Sequence, residues 1–206
     1  MSQFSELQVR QALVTEGGTL VDRKGSSDGV AFSDGIHGSM FAAAKAGRLF
    51  KGANQAAVAT STTLNTTWTG LGISNPSGNS KVFNIRRFSW MLSVVGPAAG
   101  ALGLVLTTHA AGAFASAVSA VNAYTGVATG STAILDNGAT VVAGTIVEPI
   151  TTYGTGAITT WQGAGWQSAC FDGSLIVPPG YCLITDTTTA CTAAFLFGFV
   201  WEEVNI

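Results

Sequence analysis

Large aromatic residues recur at every second position most clearly near the C-terminal end of the sequence. Phe195, Phe197, Phe199 and Trp201 occupy one parity and Leu196, Gly198 and Val200 the other. A period of two is a strand signature. With both parities apolar, the segment belongs in the middle of a sheet or at a contact between subunits. Phe83, Ile85, Phe88, Trp90 and Leu92 supply a second set of large inward side chains. The same reading predicts strands over 57–71, 81–95, 101–108, 140–148, 158–161, 167–171, 174–177, 181–185 and 192–201. Turn chemistry separates them at Asn75-Pro76-Ser77-Gly78, Asp136-Asn137-Gly138, Asp172-Gly173 and Pro178-Pro179-Gly180. Helical spacing occurs twice. An alanine-rich stretch over 40–48 follows a potential Ser39 cap, and Phe114, Val118 and Val121 suggest a weak helix over 113–124.

Many short strands with regular turns predict a mainly β protein with a jelly-roll or β-sandwich body over residues 56–206. Residues 1–55 differ. Gly17-Gly18, Gly25 to Gly29 and Asp34-Gly35 interrupt that stretch every few residues, leaving only fragments such as Leu13-Val14 and Thr19-Leu20-Val21. This segment is expected to be an extended N-terminal arm carrying one short helix.

Charge changes the picture more than hydrophobicity does. The chain of 206 residues is 47% hydrophobic but only 10% charged, against roughly 25% charged in an average domain. A compact monomer of 21.0 kDa would expose about 9,000 Å². Its 9 basic and 11 acidic residues then give one charge per roughly 450 Å², where average composition gives one per roughly 170 Å². So bare a surface favours coverage by other chains. All the Lys and Arg lie in residues 1–87, which carry +4, whereas residues 88–206 carry −6. Arg10, Arg23, Lys24, Lys45, Arg48, Phe50 and Lys51 are therefore the candidate arm and docking contacts.

Catalytic and ligand-binding signatures are not found. His37 and His109 sit in no nucleophile elbow and read as exposed or capping residues. Glu202 and Glu203 are adjacent, so a strand points them to opposite faces, and they read as solvated chain-end charges. Cys170, Cys182 and Cys191 fit no metal spacing and read as small core residues made in a reducing compartment. No catalytic, cofactor or metal site is expected, and the chain is expected not to be an enzyme. The net charge of −2 speaks against a nucleic-acid partner. Arg86-Arg87 beside Phe83, Phe88 and Trp90 reads as an edge charge next to a core. The polar start gives no signal peptide. The uncharged stretch from Trp90 to Leu106 is broken at Gly96-Pro97, so it reads as two buried strands, with no membrane partner.

Two stretches carry a resemblance. In residues 47–90 the matching positions are Leu49, Phe50, Asn54, Gln55, Ala56, Thr69, Gly70, Leu71, Asn75, Pro76, Gly78 and Lys81. In residues 174–204 they are Pro178, Pro179, Gly180, Trp201 and Glu202. Together they resemble structural proteins of tailed bacteriophages, most closely the head decoration, or cement, proteins. The resemblance covers about a third of the chain and rests on turns and strands. It implies a β-rich body with an arm, assembled in the host bacterial cytoplasm. It also implies a homotrimer on the outer capsid surface of the virion, bridging neighbouring subunits of the major capsid protein. The alternative is a tail fibre, spike or head-fibre component that binds a host glycan or receptor, with Tyr153, Trp161 and Trp166 available to stack on sugars.

Overall fold

The computed structural model describes residues 13–14, 20–21, 40–60, 67–94, 99–109, 113–115, 117–128, 130–153, 166–188 and 194–206. Two compact units divide at residue 39. In the first, β1 (Leu13–Val14) pairs antiparallel with β2 (Leu20–Val21), matching the two fragments read from the sequence. The second unit, Met40–Ile206, is the β body. Its elements are α1 (Phe41–Lys45), β3 (Leu49–Ala53), β4 (Val58–Ala59), β5 (Thr67–Ser74), β6 (Lys81–Val94), β7 (Gly100–Thr108) and β8 (Val121–Asn122). They continue with β9 (Ile134–Thr140), β10 (Thr145–Tyr153), β11 (Gln167–Cys170), β12 (Ile176–Val177), β13 (Tyr181–Thr187) and β14 (Ala194–Asn205). The body therefore starts sixteen residues earlier than the sequence reading placed it, because β3 completes a sheet by pairing with β14.

The strands form two antiparallel sheets, one ordered β10-β7-β13-β5-β9 and the other β11-β6-β14-β3-β8, with β12 added to β6 and β4 to β14. Eight principal stations follow in chain order: β3, β5, β6, β7, β10, β11 with β12, β13 and β14. The first pairs with the last, the second with the seventh, the third with the sixth and the fourth with the fifth. That nesting is the pairing order of a long hairpin folded into a jelly roll. The body is thus a mainly β, two-sheet sandwich, as its alternation predicted.

The core lies between the sheets. Phe83, Ile85, Phe88, Trp90 and Leu92 of β6 and Phe195, Phe197, Phe199 and Trp201 of β14 meet Leu71, Ile73, Leu102, Leu104 and Leu183 of the facing sheet. As its doubly apolar pattern implied, β14 is central, flanked by β6 on one side and β3 and β4 on the other. The inward residues of β6 change parity between Ile85 and Phe88. A register shift at that point gives β6 one extra residue against Val200 and Trp201 of β14, and the bulge keeps both sides of the sequence pattern facing inward.

Smaller layers cover the outer faces. Ala43 of α1 packs on Leu49 and Val200 outside one sheet. Outside the other, Phe114 lies over Trp68, with ring centroids 6.0 Å apart, beside Val105, Cys182 and Ile184. Gly72 makes this approach possible: a Cβ there would come within 2.9 Å of both Phe114 and Trp68.

Three expectations change. No helix spans the described residues of 113–124. Phe114 caps the outer face, Val118 bridges to Leu135 and Val121 enters β8, so three residues at helical spacing serve three different contacts. Asp136-Asn137-Gly138 is not a turn but the middle of β9. The irregularity sits instead on its partner β5, where a register shift between Thr69 and Gly72 marks a bulge. The strand expected over 140–148 resolves into β9 and β10. The strand expected over 158–161 lies outside the described residues.

Candidate docking surface

The residues proposed from sequence for docking separate into three groups. Arg10, Arg23 and Lys24 lie outside the described residues. Phe50 is buried, 2% exposed, and stacks on Trp201 with centroids 6.1 Å apart. It is a core residue, because alternation along β3 turns it inward while Lys51 turns outward. Lys45, Arg48 and Lys51 are exposed and share one corner of the body, where α1 leads into β3.

That corner is built locally. α1 buries Ala43, which leaves Phe41 44% exposed on the solvent side. Beside it, β8 enters a turn shaped by the buried Asn122. Its Nδ2 donates to the Gly47 carbonyl at 3.1 Å, and its Oδ1 accepts from the amides of Tyr124 and Thr125 at 2.9 and 3.2 Å. The Ala123 amide donates to the Leu49 carbonyl at 2.8 Å, fastening the turn to β3. The result presents Tyr124 at 68% and Val127 at 53% exposure. Arg48 holds Glu202 at 3.0 Å, but its side chain is half exposed, so the pair adds little stability. The ion pairs among the described residues, Arg48 with Glu202 and Lys81 with Glu203, leave Lys51 unused. The corner therefore combines cations with exposed aromatic and aliphatic side chains, a composition suited to an acidic, partly apolar partner.

Several charged and nucleophilic residues elsewhere serve the fold. Glu203 is not solvated. It is 2% exposed, and its carboxylate accepts from Lys81 Nζ at 2.9 Å, Ser131 Oγ at 2.7 Å, the Thr132 amide at 2.9 Å and Thr132 Oγ1 at 3.1 Å. Burial pushes its pKa up, but these donors outweigh burial and hold it below the usual glutamate value. His109 is half-buried rather than exposed, and its Nε2 is hydrogen-bonded to Ser74 Oγ. Ser74 is fully buried between Cys182 and Ile134, out of reach of a substrate. Cys182 is a core residue whose thiol burial pushes up to about 12, so it stays protonated. Cys170, by contrast, is exposed, and Cys191 lies outside the described residues. Among the described residues no group of three or more His, Cys, Asp or Glu is arranged to hold a metal ion, and no helix is long and apolar enough to cross a membrane.

Two asparagines among the residues that carry the resemblance also have structural work. Asn54 is buried, and its side chain accepts from the Phe197 amide at 2.6 Å while donating to the Phe195 carbonyl at 3.0 Å. Asn75 is fully buried and donates to the carbonyls of Lys81 and Val177 at 2.9 and 3.0 Å. Of the candidate stacking residues, Tyr153 is in the core, Trp161 lies outside the described residues and Trp166 is 61% exposed. Neither Phe41 nor Tyr124 was singled out from sequence. The Asn-x-x-x-Gly spacing of Asn122 and Gly126 was the available sign of a turn that would present Tyr124.

No protein-family model, curated protein or solved structure matches the chain.

Proposed function

We propose that this protein is a non-enzymatic structural component of a phage particle that decorates the capsid and bridges neighbouring capsid subunits. The observation that carries the proposal is the α1–β3–β8 corner, where Phe41, Tyr124 and Val127 stand exposed beside Arg48 and Lys51 on an otherwise charge-poor chain. The jelly-roll order supports the reading, since that architecture recurs in viral capsid domains; it does not by itself assign a role. The mechanism is stabilisation by burial. A contact of standard size covers about 800 Å² on each partner, and apolar area contributes roughly 25 cal/mol per Å² before the ordering of loops is subtracted. Repetition around a symmetric shell multiplies a modest contact.

The test is co-sedimentation of the purified full chain with capsids that lack it. The wild type is expected to pellet at a fixed ratio to the major capsid protein. A Lys51→Glu, Tyr124→Ala double variant should bind at least tenfold more weakly, about 1.4 kcal/mol. Undiminished binding by a folded double variant would remove the corner from the contact. Absence of wild-type binding would overturn the capsid assignment.

A further inference from the structure

A second exposed feature lies on the edge where β11 pairs with β6. Gln167 stands opposite Trp90 and Ala169 opposite Phe88. Trp90 and Phe88 are buried, so the alternate residues Ser168 and Cys170 take the outer face, opposite Ser89 and Arg87. Immediately before this strand, the Trp166 indole is 61% exposed. The guanidinium carbon of Arg87 lies 5.6 Å from its ring centroid. Arg87 Nε is buried with no hydrogen-bond partner, and neither ion pair of the described residues includes this arginine. A cation is thus held against an open aromatic surface, and no carboxylate among the described residues is ion-paired with it.

We propose that Trp166 and Arg87 form a binding site for a carboxylate-bearing pyranose, the chemistry of uronic and sialic acids. An indole offers a flat apolar surface that suits the C–H face of a sugar ring. A planar guanidinium fork matches a carboxylate in two parallel hydrogen bonds. The adjoining Ser168 hydroxyl is exposed on the same outer face and can serve ring hydroxyls. A nucleic acid is a poorer fit, because its phosphates call for several cations along a groove, and residues 88–206 carry −6 with no Lys or Arg. A protein partner is also disfavoured. Ser168, Ser89 and Gly198 form an outward row beside the pair, whereas the centre of a protein interface is typically apolar.

The test needs no capsid, so it stands or falls independently of the docking proposal. Isothermal titration and saturation-transfer NMR on the full chain would use trigalacturonate and sialyllactose, with maltotriose and lactose as neutral counterparts. Saturable binding of at least one acidic saccharide is expected, at least tenfold tighter than its neutral counterpart. Trp166→Ala should abolish binding of both kinds. Arg87→Gln should reduce the acidic ligand to the affinity of the neutral one, and Arg87→Lys should restore only part of the difference. Circular dichroism establishes that each variant is folded; should Arg87→Gln fail to fold, the exposed Trp166→Ala carries the test. The proposal is overturned if the wild type binds neither acidic saccharide, if acidic and neutral sugars bind equally, or if folded Trp166→Ala binds undiminished. A change in oligomeric mass on Trp166→Ala without saccharide binding by the wild type would likewise sink it, and would make the indole a contact between copies.

Discussion

Glu203 shows how one side chain can depend on a neighbourhood assembled from distant parts of the chain. Its carboxylate is removed from water on β14, yet it receives donors from Lys81 at the start of β6 and from Ser131 and Thr132 before β9. A buried charge without such partners would be strongly unfavourable. Because the folded-state pKa lies below the usual glutamate value, the unfolded chain binds the proton more readily. The stabilisation is therefore fully present above the unfolded pKa, about 4.3, and is lost as pH falls through the lower folded value. Thermal melts from pH 7 down to the acid limit should show the wild type losing stability across that window. Glu203→Gln should be less stable at pH 7 and should show a shallower loss. Parallel curves for the two proteins would mean that Glu203 does not contribute to acid sensitivity. Lys81→Met should be more damaging at neutral pH than Glu203→Gln, by up to about 3–5 kcal/mol, because it leaves the charge buried with fewer donors.

Elements in this fold are joined by side chains where the backbone ladder stops. β3 ends at Ala53, and β4 resumes pairing with β14 only at Val58. Asn54 fills the gap: its amide group pairs with Phe197 N–H and Phe195 C=O much as another strand residue would. Asn54→Leu would keep the approximate size but leave the buried Phe197 amide without an acceptor. A loss of about 2–4 kcal/mol is expected, from three hydrogen bonds and one unsatisfied donor, measured by urea unfolding. A change below about 0.5 kcal/mol would show that water or a shifted backbone replaces these bonds. The bulge on β5 works in a related way. Gly70 has φ +143, and a Cβ there would lie 2.3 Å from Thr185 Oγ1. The same hydroxyl accepts from the Leu71 amide at 3.0 Å, and Trp68 Nε1 donates to the Thr185 carbonyl. At one edge of the five-stranded sheet, as the described residues form it, β10 carries Pro149 and two register shifts. Both features make a regular extension of that sheet by another strand unfavourable.

For the whole molecule, nesting makes the first strand of the body depend on the last. Leu49 pairs with Glu202 and Ala53 with Gly198, so β3 and the two-residue β8 beside it join the rest of their sheet only through β14. Closing a loop of that length adds entropy cost slowly with length, but it makes non-local pairing a slow step in folding. A chain ending at residue 193 should therefore fail to give a cooperative unfolding transition. It would lack Phe195, Phe197, Phe199 and Trp201, the inward aromatic row of the central strand. A cooperative transition in that truncated chain, seen by calorimetry, would show that the remaining strands form a core without β14. Distribution of charge belongs to this scale too. The cations of the corner, Lys45, Arg48 and Lys51, were legible in the sequence, but Tyr124 and Val127 beside them, and Trp166 beside Arg87, come from the other side of the sequence-level charge division.

Alternation of large apolar residues determined from sequence that the body is a β sandwich or jelly roll and which strands supply its core; it placed β14 either inside a sheet or at a subunit contact, and the strand pairing makes it central. A period of two fixes which side chains share a face wherever the strand is regular. The turns at Asn75 to Gly78 and at Pro178 to Gly180 were legible for the same local reason, since their residues set backbone geometry themselves. Tertiary structure decided what depends on residues far apart in the chain. It drew Phe50 into the core, moved the start of the body to Met40 and buried Glu203 among donors from two distant segments. It also turned the spacing of Phe114, Val118 and Val121 into three separate contacts and brought Trp166 against Arg87. Local pattern constrains which way a side chain points; what meets it there is set by strand register, and register between distant strands is a property of the packed sheets.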